Sequence, residues 1–287
     1  MNVPIIAKAD SLVFSYDVLF CDVWGVIHDG VTAYEEAGHV LAKFRKRGGS
    51  VILISNAPLP SVAIAGVLVE KRVRQDAWDA IISSGDMALS HVSERRYRKT
   101  YRIGPSRDAD LFRLLPGEPA ELDAADAIIC TGLVNEEIEI PTHYLPILQK
   151  ALALKLPFVC ANPDLVVDVA GKTYSCAGSI AKLYEEMGGA VHWAGKPFAQ
   201  IYETALAKAS LLRCETVRRA RVLAIGDALR TDIEGARRIG IDSLFIAAGI
   251  HKREVMRDGA IVQEWLDHLF SKTSETPLAA TDRLRGD

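Results

Sequence analysis

Val18-Leu-Phe-Cys-Asp22 runs into Val-Trp24-Gly25-Val-Ile-His28-Asp29-Gly30. An apolar, β-rich run thus stops on a carboxylate and opens into a glycine-bounded turn. The next such run is Val51-Ile-Leu-Ile-Ser55, and between the two lies a stretch of helical period, Glu35 to Arg47. That stretch puts Ala37, Val40, Leu41 and Phe44 on one face, and Gly48-Gly49 closes it with residues that tolerate positive φ. A strand with no polar alternation, followed by an amphipathic helix and another such strand, describes a parallel sheet covered on both faces.

The alternation continues along the chain. Further strands are expected at Ala80–Ser83, Thr100–Ile103, Ala127–Cys130, Phe158–Ala161, Val191–Ala194, Val222–Ile225 and Ser243–Ala247. Helices are expected at His143–Lys155, Ser179–Met187, Ala199–Leu212, Thr231–Ile239 and Ala260–Phe270. The fold class is therefore α/β, with a doubly wound parallel sheet. Ser271 to Asp287 loses the apolar period and reads as a loose tail.

The composition narrows the function classes. The 287 residues carry 34 Lys+Arg against 37 Asp+Glu, a formal charge of -3, with 49% hydrophobic and 25% charged residues. That balance offers no uncompensated basic surface for nucleic acid or for a polybasic membrane contact. No apolar run reaches the roughly 18–20 residues of a membrane helix, and no signal pattern precedes Asp10. The five cysteines are odd in number and widely spaced, with no CxxC pair, which fits reduced, buried thiols in the cytoplasm.

In open α/β sheets ligands bind outside the carboxyl ends of the strands, and four strand exits carry polar residues. They are Asp22; Ser55-Asn56; Gly195-Lys196-Pro197; and Gly226-Asp227-Ala-Leu-Arg-Thr231-Asp232. Each is a common occurrence alone, but their order is not. Phosphoryl transfer needs an in-line nucleophile, neutralised non-bridging oxygens and a metal. Asp22 is suited to attack phosphorus and form an acyl phosphate. Asp22 and Asp227 offer hard oxygens to Mg²⁺, while Ser55 and Lys196 offer a hydroxyl and a charge to the phosphoryl group. Backbone N–H groups in the turn after Asp22, at Gly25, can bind the same anion.

This set resembles the four signature motifs of the haloacid dehalogenase superfamily. It is more narrowly similar to the class IIA capped branch of p-nitrophenylphosphatase-like, nucleotide and pyridoxal phosphate phosphatases. The narrower match rests on Ser83-Ser84-Gly85, Asn162-Pro163-Asp164, Gly195-Lys196-Pro197 and Gly226-Asp227-x-Leu-x-Thr-Asp-Ile233, with about 140 residues between Ser55 and Lys196. The resemblance implies a Rossmann-like core at 1–95 and 188–275, an inserted α/β cap at 96–187 and a loose tail at 276–287.

The resemblance also assigns roles. Asp22 is the nucleophile and a Mg²⁺ ligand, Asp227 a direct ligand and Asp232 a supporting one, with the carbonyl of Trp24 completing the set. Ser55 and Lys196 hold the transferring group, Asn56 fixes the phosphate loop, and Asn162 and Asp164 fall near the substrate. The implied partners are a small phosphorylated metabolite and a second copy of the chain. The implied substrates are sugar phosphates, nucleotides or pyridoxal phosphate.

One position departs from the pattern. Family phosphatases place an acid/base aspartate two residues after the nucleophile, where this chain has Trp24, and an indole donates one hydrogen bond but shuttles no proton. Three readings stay open: a substitute acid, whether His28, Asp29 or one from the cap; a substrate with a good leaving group or a dehalogenase- or phosphonatase-like reaction; or a phosphate-binding, regulatory protein with little turnover. Trp24 by itself reads most simply as a core aromatic, and Arg218-Arg219-x-Arg221 as a solvated loop before a strand.

Overall fold

The computed structural model describes residues 2–169, 171–273 and 276–287. Its strands are β1 (Val18–Asp22), β2 (Ser50–Ser55), β3 (Ala80–Ser83), β4 (Lys99–Ile103), β5 (Glu118–Pro119), β6 (Ala127–Cys130), β7 (Phe158–Cys160), β8 (Val166–Val169), β9 (Lys172–Ser175), β10 (Val191–Trp193), β11 (Val222–Gly226), β12 (Asp242–Ile246), β13 (Met256–Arg257), β14 (Ala260–Ile261) and β15 (Ala279–Thr281). They form a six-stranded sheet in the order β15-β12-β11-β1-β2-β3 and a five-stranded sheet in the order β10-β7-β6-β4-β5. In the first, β15, β12, β11, β1 and β2 run parallel. Every pairing in the second is parallel as well. Two short antiparallel pairs, β8-β9 and β13-β14, complete the set.

The chain divides into two compact units. Met1–Ser55, Ala65–Ile82 and Lys196–Asp287 make the first, and Asn56–Ile64 with Ser83–Gly195 the second. The segment expected as the insert, 96–187, lies inside the second unit, which reaches further at both ends. The helix Ser84–Arg95 joins it because residues 57–61 are bound to that helix. Asp86 Oδ2 accepts the Ser61 N–H at 3.0 Å, and a Cβ on Gly85 would stand 2.5 Å from the Leu59 carbonyl oxygen. Residues 188–195 join it because β10 pairs with β7.

Apolar sequence explains the central strands of the first unit. Every residue of β1, β2 and β11 is buried, as expected of strands covered on both faces. On the β12 side, Phe245 and Phe270 meet edge to face at 5.3 Å in a cluster with Val3, Leu266 and Ala280. Fully burying such a phenylalanine stabilises by roughly 1.5–3 kcal/mol.

Two expectations are corrected here. The carboxyl-terminal segment is no loose tail: β15 pairs with β12 through Leu244↔Ala279, Phe245↔Ala280 and Ile246↔Thr281, and Leu284 is buried. Its apolar run is too short and too small-chained for periodicity to reveal it. Residues 274 and 275 lie outside the described residues. The helix expected at Ala260–Phe270 spans Gln263–Ser271, and Ala260–Ile261 pair with Met256–Arg257 instead. Asp258 and Gly259, at φ 51° and 81°, make the hairpin turn that an Asp-Gly pair favours. Among the described residues no helix is long and apolar enough to cross a membrane.

Candidate active site

The first unit brings β1 and β11 side by side in register, with Cys21 opposite Ile225. Their carboxyl ends therefore present Asp22 and Asp227 as neighbours. After Asp22 the chain turns tightly: the Val23 carbonyl accepts the Ile27 N–H at 2.9 Å, and the His28 carbonyl accepts the Gly25 N–H at 2.7 Å. Gly25 sits at φ +80°, and a Cβ there would lie 2.1 Å from Asp227 Oδ2. Both the left-handed backbone and the close approach require glycine. Its N–H is committed to His28, so what Gly25 contributes here is space for Asp227 rather than the anion contact expected of it.

After β11, a π-helical turn at Leu229–Ile233 leads into the helix Glu234–Ile239. This turn places Asp232 back over Gly226, where a Cβ would lie 2.2 Å from Asp232 Cγ. The Ala228 N–H donates to Asp232 Oδ2 at 3.1 Å. The buried Tyr202 hydroxyl donates to the Thr231 carbonyl at 3.1 Å and so holds the turn from below.

Lys196 enters from the chain before the helix Ala199–Arg213 and is 3% exposed. Its Nζ donates to Asp22 Oδ1 at 2.5 Å and to Asp232 Oδ1 at 2.7 Å. Asp22, Asp227 and Asp232 each offer an oxygen within 4.8 Å of the others. Burial, followed by the Asp232 charge, pushes the Asp22 carboxyl up to about 7. Burial, then Asp22 and Asp232, raise Asp227 well above its ordinary value. Three buried carboxylates against one ammonium leave an excess of negative charge, and a hard divalent cation fits that donor set.

Ser55 closes β2 one residue beyond Ile54, the register partner of Asp22. Asn56, Asn162 and Asp164 gather within the second unit. Asn56 Nδ2 donates to Asp164 Oδ1 at 2.9 Å, and Asn162 Oδ1 accepts the Asp164 N–H at 3.2 Å.

Trp24 is no core aromatic, for it is 36% exposed. The indole meets His28 edge-on at 5.2 Å and covers Gly30 so closely that a Cβ there would come within 2.4 Å of it. Of the substitute acids, His28 and Asp29 are both tied into this turn. The His28 Nδ1 accepts the Gly30 N–H at 3.0 Å, and burial pushes the ring down to about 4. The Asp29 carboxylate accepts the N–H groups of Val31 and Thr32 and is held below its ordinary value by the backbone bonds, which outweigh its partial burial.

The sequence reading missed Gly249 and Ile250. The Ile250 N–H donates to Asp227 Oδ2 at 2.7 Å, and a Cβ on Gly249 would lie 1.9 Å from that oxygen. The signal was present, since Gly249 follows the exit of β12, but it lacked a charged side chain to draw notice.

The chain is similar to known proteins along nearly its whole length. A family profile described as haloacid dehalogenase-like hydrolase matches residues 19–115, and one described as HAD-hydrolase-like matches residues 193–271. No curated protein matches the chain. Among solved structures, a possible sugar phosphatase from Cytophaga hutchinsonii shares 18% identity over 98% of each chain (TM-score 0.76), and a p-nitrophenyl phosphatase from Archaeoglobus fulgidus shares 21% over 94% of this chain and 97% of its own (TM-score 0.71). These two share the fold. A haloacid dehalogenase-like hydrolase from Brucella suis is 34% identical over 98% of this chain and 100% of its own, with a TM-score of 0.85. At that identity over the whole length, the chain belongs to the haloacid dehalogenase-like hydrolases.

Proposed function

We propose that the protein is a Mg²⁺-dependent phosphatase that hydrolyses a small phosphate monoester through an aspartyl phosphate on Asp22. The observation that carries this reading is the Lys196 ammonium shared by Asp22 and Asp232 beside Asp227. Asp22, Asp227 and the Trp24 carbonyl, with Asp232 in support, are the groups that would hold the cation. Once bound, it supplies positive charge to the phosphoryl oxygens.

The protein's own groups account for the remaining chemistry. Lys196 favours the ionised form of Asp22 against the burial that favours its neutral form, and the ionised form offers a carboxylate oxygen to attack phosphorus. As the new O–P bond forms, the ester P–O bond breaks and its electron pair leaves with the alcohol oxygen. Ser55 and Lys196 neutralise the transferring oxygens. Water then attacks the phosphorus of the acyl phosphate, and the Asp22 O–P bond breaks to restore the carboxylate. Inorganic phosphate leaves with one proton of the water, while the other makes up the proton of the departed alcohol.

Protonation of the leaving oxygen is the step with least support in the first unit. His28 is neutral and accepts a bond at Nδ1, and Asp29 is tied into its turn. This favours a substrate whose leaving group departs with little help, such as an aryl or enol phosphate, over an ordinary alkyl phosphate. The sugar phosphates, nucleotides and pyridoxal phosphate implied by the resemblance are alkyl phosphates, so slower turnover is expected of them than of an aryl or enol phosphate.

The test is Asp22→Asn, assayed with p-nitrophenyl phosphate, alkyl phosphates, a haloacid and a phosphonate, with and without Mg²⁺. Loss of Mg²⁺-dependent phosphate release in a folded variant is the expected outcome. Undiminished release would sink the nucleophile assignment. In the unsubstituted protein, turnover confined to the haloacid or phosphonate would replace the phosphatase reading with one of those reactions.

A further inference from the structure

We infer that Tyr202 is a positioning residue for Lys196: its hydroxyl, admitted by Gly235, sets the turn that carries Asp232, and Asp232 in turn sets the ammonium. Its effect on rate rests on the phosphatase reading of this site.

Three elements that carry the site meet at this side chain. Lys196 lies just before the helix Ala199–Arg213, and Tyr202 stands in the first turn of that helix, 1% exposed. Its ring packs, tilted, against Phe20 with centres 6.4 Å apart. Phe20 and Asp22 are two residues apart on β1, and such residues share a face of the sheet. The ring therefore lies on the face from which Asp22 projects. The hydroxyl donates to the Thr231 carbonyl at 3.1 Å and lies 3.5 Å from the Asp232 carbonyl oxygen. Strand β1, the helix behind Lys196 and the turn bearing Asp232 are thus joined at one residue.

The turn has need of such a support. The Ala228 carbonyl accepts both the Asp232 N–H at 2.9 Å and the Ile233 N–H at 3.3 Å. This is the wide π form, rare in helices and recurrent at functional sites. Both carboxylate oxygens of Asp232 are committed, Oδ1 to Lys196 Nζ at 2.7 Å and Oδ2 to the Ala228 N–H at 3.1 Å. The carboxylate cannot follow a displaced turn without releasing one of them.

Gly235 is fitted to the same contact. It lies in the helix that follows the turn, and a Cβ there would stand 2.2 Å from the Tyr202 hydroxyl oxygen. The phenol reaches the turn only because residue 235 has no side chain. Filling the core would ask no more than a phenylalanine at 202. A buried hydroxyl with a recess of its own fixes a distance instead.

Tyr202→Phe keeps the ring and removes the bond. The Ala228 amide reports the place of Asp232 whether or not the chain turns over phosphate, because Asp232 Oδ2 is its acceptor. Its hydrogen exchange in the variant should quicken by about tenfold, the worth of one hydrogen bond, with amides 51–54 of β2 unchanged. On p-nitrophenyl phosphate kcat should fall by about tenfold with KM little changed, the mark of an interaction made in the transition state. In an Asp232→Asn background the same substitution should change kcat by less than about twofold, whereas a general packing loss would cost its full factor there. Gly235→Ala, whose methyl takes the hydroxyl's space, should reproduce the faster exchange and the lower kcat, and it decides the outcome if Tyr202→Phe does not fold. Unchanged Ala228 exchange in a folded variant, or the full loss of kcat repeated in the Asp232→Asn background, overturns the assignment. Absence of Mg²⁺-dependent release from the unsubstituted protein would instead remove the phosphatase reading and leave the Ala228 exchange to decide.

Discussion

At the carboxyl edge of the six-stranded sheet, β1 and β11 end on Asp22 and Asp227. At the same edge of the five-stranded sheet, β6 and β7 end on Cys130 and Cys160, which are register partners. Both sheets are parallel and apolar within, so the backbone offers the same opportunity twice. They differ in how burial is settled. In the second unit the buried thiols at this edge and one partly buried imidazole are kept neutral. The Cys130 thiol is raised well above its ordinary value by burial, and it and the Cys160 thiol donate to the Gly132 and Asn162 carbonyls. His192, stacked on His91 at 3.4 Å, is pushed down to about 4, chiefly by burial. In the first unit three carboxylates are crowded together and only partly offset by Lys196. Carboxyl groups whose ionisation is opposed by one another as well as by burial mark a place built to take up a cation, whereas thiols and an imidazole held neutral chiefly by burial mark packing.

Removing the charge that holds the first edge together should have the largest effect. Lys196→Met leaves Asp22 and Asp232 without their shared donor. A fall in kcat/KM of about 10³ or more is expected, in line with the loss of a buried electrostatic stabiliser. Retention of activity within about tenfold would show that the two edges differ less than their charges suggest.

Next in size is Trp24→Asp, which puts an acid where the indole now covers Gly30. Turnover of alkyl phosphates should rise by about 10², and that of p-nitrophenyl phosphate much less, because nitrophenolate needs no proton to leave. Equal changes for both substrates in a folded variant would count against leaving-group protonation as the limiting step.

The smallest effect is on stability. Asp22 titrates near 7 in the metal-free folded chain and near about 3.9 when unfolded. Below about pH 4 both states hold the proton. Between there and about 7 the folded state binds more protons, so stability falls as pH rises, and the loss is complete above 7. Mg²⁺ offsets the repulsion that appears once the carboxylates are charged. Its thermal stabilisation should therefore be a few degrees greater at pH 8 than at pH 5. Hydrogen exchange should show the protection at residues 22–30 and 226–233 and none at 131–134 or 162–164. Equal stabilisation at both pH values would argue that the cation binds away from Asp22.

Much of this contrast was legible beforehand because it rests on local pattern. The run into Asp22 and the order Asp22, Ser55, Lys196, Asp227, Asp232 are contiguous or colinear features. What escaped notice depended on neighbours distant in sequence. Ala279–Thr281 is a strand only because β12 offers it an edge, and Gly249 matters only because Asp227 fills the space its missing Cβ leaves. Trp24 was expected in the core from its size, yet Gly30 and His28 support it at the surface.

The sequence by itself determined the parallel α/β architecture and which residues stand at the strand exits, since strand and helix periods and chain order are one-dimensional properties. Only the tertiary structure decided that Lys196 is shared between Asp22 and Asp232, that Gly25 and Gly249 make room for Asp227, and that Tyr202 packs against Phe20 and Gly235. Those are matters of distance between side chains far apart in the chain, and distance is fixed only when the sheet closes and its strands take their register.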